Sequence, residues 1–306
     1  MPHSLASNPW VLGARPKTLP AAIAPVLVGT SLAFWFDGFV ALNALLALFV
    51  ALALQVGVNY SNDYSDGVRG TDENRVGPVR LVGSGLKSAS SVKRAAFLCF
   101  GSAALAGLLL TLITQQWIFI PIGLAAIVSA WFYTGGKNPY GYMGLGELFV
   151  FVWFGLAAVI GTTYSQTLEL HLVDLVLAIG AGAFACAILV MNNLRDIPTD
   201  TLAAKRTLAV RLGDRATRNF YIALMSIGCG SVTLVALIAF LSESSLWPAG
   251  AALGFAAVAV ARKPIENVVN GAKDRALIPV LAGTGKTQMV WAVGTSLGII
   301  ANALLR

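Results

Sequence analysis

The sequence predicts an all-α polytopic membrane protein with nine transmembrane helices, and three observations carry that prediction. Hydrophobic residues fill 57% of the 306 positions and charged residues only 11%, against roughly a quarter charged in soluble domains. The apolar residues gather into nine runs of the length, about 20 residues, that crosses a hydrocarbon core. All but one of the 21 Lys and Arg residues fall in alternate connections, as positive-inside topology requires.

Taken in order, the runs lie near 19–36, 40–61, 95–114, 117–134, 147–164, 172–194, 219–241, 246–261 and 288–305. The opening segment carries Arg15 and Lys17, and the connection after the second run carries Arg69, Arg75, Arg80, Lys87, Lys93 and Arg94. Lys137 follows the fourth run, a basic group from Arg195 to Arg218 follows the sixth, and a third group from Arg262 to Lys286 follows the eighth. The four connections on the other side have no Lys or Arg, and Arg306 is the last residue. One span more or fewer would scatter the later charges over both faces. A cytoplasmic N-terminus, an external C-terminus and a cell-membrane location follow. The same topology explains the net charge of +7 without nucleic acid as a partner. The first twenty residues lack the apolar h-region of a signal peptide, so the first span is expected to act as its own insertion signal. Cys99, Cys186 and Cys229 sit inside apolar runs as small packing groups, with no metal-ligand spacing among them.

Two acidic stretches interrupt this apolar background. The first, NDYSDGVRGTDENR (62–75), closes the second run; the second, NNLRDIPTD (192–200), closes the sixth. Asn192, Asp196 and Asp200 stand at i, i+4 and i+8, one face of a helix as far as Pro198 leaves the turn intact. The first stretch repeats the spacing with Asn62 and Asp66, has Gly70 at the third position, and supplies Asp72 two residues later. Four spans separate the stretches, so both reach the cytoplasmic face and can share a site, capped by the long loops 62–94 and 195–218. Their offset also suggests two parallel four-span halves followed by a ninth span. Ionisable groups at membrane depth are costly and usually functional. Oxygen donors of this kind suit Mg²⁺, which takes one or two carboxylates and completes its shell with water and substrate phosphate. The cations alongside, Arg69, Arg75, Arg80, Arg195, Lys205 and Arg206, suit a polyphosphate.

The paired motifs resemble the two signature motifs of the UbiA superfamily of intramembrane prenyltransferases, and Tyr133-x-x-x-Lys137 resembles a third. W-x-x-x-x-RPKTLP (Trp10 to Pro20), YTGGKNPYGYMGLGE (133–147), RDIPTD with KRTLAVRLG (205–213), and ALIPVLAGTGK near 276–286 are similar to the MenA branch, whose acceptor is 1,4-dihydroxy-2-naphthoate. The resemblance covers nearly the whole chain, taken as one domain over 1–306, and departs from the superfamily pattern at Gly70. It implies a ring of nine helices around a central cavity. It also implies Mg²⁺ held by Asn62, Asp66, Asp72, Asn192, Asp196 and Asp200, and a polyprenyl diphosphate stabilised by Arg75, Lys137, Lys205 and Arg206. The expected reaction is prenyl transfer to the naphthoate ring with loss of CO₂ and diphosphate, giving demethylmenaquinol. Tyr133 either orients the diphosphate and its cation or is an interfacial aromatic, and Arg15 either pairs with the acceptor carboxylate or sets topology.

Other readings compete. A relative of the same superfamily could take 4-hydroxybenzoate or another acceptor, and a cation-coupled transporter also places acids in a membrane. Transporter sites favour the midplane at broken helices, whereas these acids sit at one face. Gly285-Lys286-Thr287 imitates the end of a phosphate-binding loop, but Val280 stands where glycine is required and no strand precedes it, which excludes ATP. His3 and His171 lie outside the motifs.

Overall fold

The computed structural model describes residues 8–70, 80–242 and 246–306, and among them no strand occurs. The helices are α1 (Pro9–Ala14), α2 (Pro20–Trp35), α3 (Ala41–Val68), α4 (Ala89–Thr114), α5 (Phe119–Phe132), α6 (Gly146–Phe151), α7 (Ala158–Thr167), α8 (Leu172–Leu202), α9 (Leu208–Ser242), α10 (Ala257–Val269) and α11 (Leu277–Leu304). A π-helical turn, Val152–Ala157, joins α6 to α7, and a 3₁₀ stretch, Ala249–Ala256, leads into α10.

All-helical architecture agrees with the sequence; the count of nine spans does not follow from length and composition. Five helices are long and apolar enough to cross a bilayer alone: α3, α4, the continuous segment Gly146–Thr167, α8 and α9. A sixth results if Pro9–Thr18 and Pro20–Trp35, bent by 52°, are taken together. At 14 residues, α5 falls short of the roughly 20 needed.

Two boundaries move, and both matter for the site. The stretch expected as a loop from 62 stays helical to Val68, and the one expected from 195 stays helical to Leu202, through Pro198. The cap therefore consists of helix ends and the connections after them. Gly213, at φ 76° and ψ 172°, kinks α9 a turn after it begins. The last helix starts at Leu277 rather than near 288, so Lys286 lies within it.

Small residues make α8 the axis of the molecule. Its sequence AIGAGAFACAILV (178–190) lets neighbours approach to backbone contact, which replaces hydrophobic drive as the source of helix association in lipid. A Cβ placed on Gly155 would lie 2.6 Å from the Gly182 Cα, and one on Gly180 would lie 2.3 Å from the Ser231 Oγ. Around α8 forms the larger apolar core, with Phe184, Tyr221, Met225 and Trp291. A smaller core, with Tyr60, Leu81, Val92, Phe100 and Ala130, joins α3, α4 and α5. Polar bonds cross between the two groups of helices. At the end remote from the acidic motifs, Asn43 Nδ2 donates to the Ser165 carbonyl (2.6 Å) and Tyr164 Oη to Gln116 Oε1 (2.8 Å).

Candidate active site

Both acidic motifs and the 133–147 element meet at one end of a cavity of about 1410 Å³. Helix α3 brings Asn62 and Asp66 to it, and α8 brings Asn192, Asp196 and Asp200. Because α8 continues through Pro198, the i, i+4, i+8 face that the sequence marked is intact in the structure.

The contacts around Asp66 join the motifs. Its carboxylate, 3% exposed as a residue, accepts a short hydrogen bond from the Tyr142 hydroxyl and one of 3.2 Å from Lys205 Nζ. Arg80 Nη2 lies 3.7 Å from its other oxygen. Lys205 Nζ also sits 4.6 Å from the centre of the Tyr142 ring, within cation–π range. The backbone closes the same knot: Lys205 N donates to the Asp200 carbonyl (2.8 Å) and Arg206 N to the Tyr142 carbonyl (3.0 Å). On the neighbouring helix, Arg195 grips Asp196 through Nε (2.7 Å) and Nη2 (2.8 Å). Asn62 Oδ1 accepts from Thr134 Oγ1 (2.8 Å). Buried charge persists only where it is paired and hydrogen-bonded, and here the pairing is carried by cations that can also face an anionic ligand.

Asp63, adjacent to the motif position, has a different task. Fully buried, it accepts from the backbone N–H groups of Leu81 (2.8 Å) and Val82 (3.0 Å), tying the chain after residue 80 to α3. Arg69 donates to the carbonyls of Thr134 and Gly136 through two short bonds and holds the turn after α5. Tyr140 Oη donates to the Ser129 carbonyl (2.9 Å), and burial pushes its phenol well above the ordinary range, so it remains a donor.

Of the residues marked in the sequence, Arg15, Asn62, Asp66, Tyr133, Asn192, Asp196, Asp200 and Lys205 line the cavity. Lys137 and Arg206 are exposed and are not among the residues that line the cavity; Lys137 follows the turn that Arg69 holds. Asp72 and Arg75 lie outside the described residues, and with them the substitution of Asp72 for an acid at Gly70. Arg80 and Arg195, two of the cations that the sequence offers to a polyphosphate, also line the cavity. Tyr142 and Thr134 line it as well, and carry no sequence signal beyond lying in the 133–147 element.

The donor set can be tested for a metal. Among the described residues no three His, Cys, Asp or Glu side chains gather closely enough to hold an ion by themselves. Mg²⁺ ordinarily takes few protein carboxylates and completes its shell with water and substrate phosphate. The hard oxygens of Asn62, Asp66, Asn192, Asp196 and Asp200 fit, provided that the cations on Asp66 and Asp196 turn toward the phosphates.

Away from this end the wall is mostly apolar: Leu54, Val58, Phe149, Trp153, Leu156 and Ile160 are among its residues. Gly107, Gly123 and Gly161, on three different helices, line it with nothing within 4 Å of a Cβ added to any of them. Unlike the glycines packed against α8, they keep space open.

Comparison with known proteins agrees with this geometry. The model of the UbiA prenyltransferase family matches residues 22–277. The chain is 51% identical to the 1,4-dihydroxy-2-naphthoate octaprenyltransferase of Mycobacterium tuberculosis, over 94% of this chain and 95% of that one. It is 40% identical to the protein of the same name from Escherichia coli, over 78% of each. Among solved structures, a UbiA homolog from Aeropyrum pernix superposes with a TM-score of 0.70 over 92% of this chain and 97% of that one, at 14% identity. A homolog from Archaeoglobus fulgidus, bound to DMAPP and Mg²⁺, superposes with a TM-score of 0.62 over 96% and 99%, also at 14% identity.

Proposed function

This chain belongs to the UbiA prenyltransferase family, and from that premise we propose that it transfers a polyprenyl group from polyprenyl diphosphate to 1,4-dihydroxy-2-naphthoate, a step of menaquinone biosynthesis. The observation that carries the proposal is the junction of Asp66, Lys205 and Tyr142, which places both acidic motifs at the polar end of an apolar cavity. The names of relatives at 40% and 51% identity supply the acceptor.

In this reading the diphosphate lies between α3 and α8, and the isoprenoid chain runs down the apolar wall. Mg²⁺, when bound by the Asn and Asp oxygens, supplies Lewis-acid stabilisation of the leaving diphosphate. Lys205, Arg80 and Arg195, preorganised on the carboxylates, stabilise charge on the same group as the allylic C–O bond breaks and its electron pair departs with the diphosphate. The allylic cation left behind is faced by Tyr133 and shielded from bulk water by the apolar wall. The acceptor ring attacks through carbon, a C–C bond forms, and the carboxyl group leaves as CO₂, giving demethylmenaquinol.

Nine spans also belong to this reading. The helical segments α2, α3, α4, α5, Gly146–Thr167, α8, α9, residues 249–269 and α11 would be the nine. The short segments would cross with help from adjoining turns, in a cell membrane, with the acidic end cytoplasmic. The test is incubation of purified protein with labelled long-chain prenyl diphosphate, Mg²⁺, and either dihydroxynaphthoate or 4-hydroxybenzoate. Product with the first alone is expected; product only with the second refutes the acceptor, and no diphosphate release with either refutes the enzyme.

A further inference from the structure

Below the acidic end, the cavity's wall carries a second polar group that the diphosphate chemistry does not use. Gln55, Asn59, Asn62 and Asp66 stand at i, i+4, i+7 and i+11 on α3, and all four line the cavity. Asn59 and Gln55 are thus about 4.5 and 10.5 Å along the axis from Asn62. They are 4% and 7% exposed, in a run whose other residues are mostly apolar. Two uncharged amides buried there are costly unless something bonds them.

Their amino groups are already engaged. Gln55 Nε2 donates to Thr18 Oγ1 (3.0 Å), and Asn59 Nδ2 donates to Thr18 Oγ1 (3.1 Å) and the Ala14 carbonyl (2.9 Å). Thr18 is itself fixed, its hydroxyl donating to the Arg15 carbonyl (2.9 Å). This anchoring sets the orientation of both amides: Gln55 Oε1 and Asn59 Oδ1 accept no protein hydrogen bond among the described residues and are not sealed in the interior, so they meet the cavity as acceptors. Beside them Arg15, held in the left-handed region at φ 53°, lines the same cavity with Nη2 buried and without a hydrogen-bond partner. Two carbonyl acceptors and one guanidinium donor make a site for a flat molecule bearing hydroxyl protons and a carboxylate.

We propose that Gln55 and Asn59, locked by Thr18, form with Arg15 the subsite that recognises the aromatic acceptor, the two amide oxygens reading its ring hydroxyls and Arg15 its carboxylate. The proposal rests on the function proposed above and adds to it the residues that select the acceptor. An amide oxygen that accepts a phenolic proton draws electron density toward the ring, which favours attack through carbon. Held one to two turns from Asn62, the ring lies next to the carbon released from the diphosphate.

The experiment compares wild type with Gln55→Leu, Asn59→Leu and Thr18→Val. Kinetics are measured with 1,4-dihydroxy-2-naphthoate and with 1-hydroxy-2-naphthoate, which lacks one hydroxyl, at saturating prenyl diphosphate, and the KM for the donor is measured separately. With the dihydroxy acceptor, at least one of the two Leu variants raises the acceptor KM about tenfold or more, the loss expected for an unmade buried hydrogen bond, with donor KM within about twofold. With the monohydroxy acceptor that variant's penalty largely disappears. Thr18→Val, which keeps both carbonyl oxygens but unlocks them, gives a smaller rise in acceptor KM. Because Asn59→Leu also removes bonds within the fold, acceptor binding to the Gln55→Leu protein is followed independently by fluorescence. Equal penalties with both acceptors, an equal shift in donor KM, or an unchanged acceptor KM in all three variants together with unchanged acceptor binding to the Gln55→Leu protein would overturn the assignment. A wild-type protein that prenylates neither acceptor would instead overturn the function on which it rests.

Discussion

Replacing Lys205 by methionine removes one charge and little volume from the knot that joins the two motifs. In the structure Lys205 and Asp66 side chains are 8% and 5% exposed and 3.2 Å apart, so the pair is buried. Removing one partner of such a pair ordinarily costs about 3–5 kcal/mol, because a buried charge is left uncompensated. Here the loss is smaller, about 1–3 kcal/mol, because Tyr142 still donates to Asp66 and Arg80 remains 3.7 Å away. The catalytic loss is larger than the structural one. A cation aimed at a leaving diphosphate contributes about 10²-fold or more in rate, so kcat is expected to fall by that factor while the protein still folds. The assay is turnover of labelled prenyl diphosphate in nanodiscs alongside thermal unfolding of the same preparation, with Lys205→Arg retaining part of the rate. A Lys205→Met protein with near-normal kcat and a lowered melting temperature would show that Lys205 only neutralises Asp66, and the shared diphosphate site would be wrong.

Asp63 and Asp66 are three residues apart and have separate tasks: Asp63→Ala takes the acceptor from two backbone N–H groups and lowers stability by about 2–4 kcal/mol with the motif carboxylates in place, whereas Asp66→Asn, which takes the anion from Lys205 and Arg80, costs about 1–3 kcal/mol and abolishes turnover. Filling the apolar end by Gly123→Leu or Gly161→Leu, where a side chain meets open space, is expected to lower kcat/KM at least tenfold for an eight-unit prenyl donor and hardly at all for a one-unit donor. Chelating divalent cations should stop turnover reversibly, with Mg²⁺ restoring it; full activity in excess chelator would remove the metal from the mechanism. Arg69→Ala, which frees the turn at 134–136 and the back of the Tyr142 ring at a residue that does not itself line the cavity, should reduce kcat less than Lys205→Met does, measured in the same assay.

What the sequence revealed about the site follows from what helical spacing can encode. Asn192, Asp196 and Asp200 share a face at any register of α8, so their convergence was legible, and the alternation of basic connections put them at the same membrane face as Asn62 and Asp66. Helix ends were less legible. Charged residues look like loop, yet Asp66 and Asp196 stay helical because their charge is matched by Lys205 and Arg195, which a linear reading takes as loop charges of their own. Arg206 is basic and near a motif, and Lys137 completes the Tyr133-x-x-x-Lys137 element, yet neither lines the cavity. Only tertiary packing could show that the Lys205 side chain faces inward and its neighbour's outward, since one residue of advance in the connection after α8 reverses direction. Gln55 and Asn59 were in reach: polar residues at i and i+4 of an apolar helix, in step with Asn62, mark a lined face. Tyr142 was not, because nothing in YTGGKNPYGYMG (133–144) distinguishes the tyrosine that meets Asp66 from Tyr140, which bonds Ser129.

The central claim is that one cavity couples diphosphate departure to carbon attack by a carboxylated naphthalene ring. It is tested most directly by supplying purified protein with labelled prenyl diphosphate and 1,4-dihydroxy-2-naphthoate labelled in its carboxyl group, with Mg²⁺, and counting both products of each turnover. The account predicts one labelled CO₂ for every diphosphate released, with both signals lost together in Asp66→Ala and Asp196→Ala. Diphosphate release without CO₂, or turnover that survives either substitution, would contradict it.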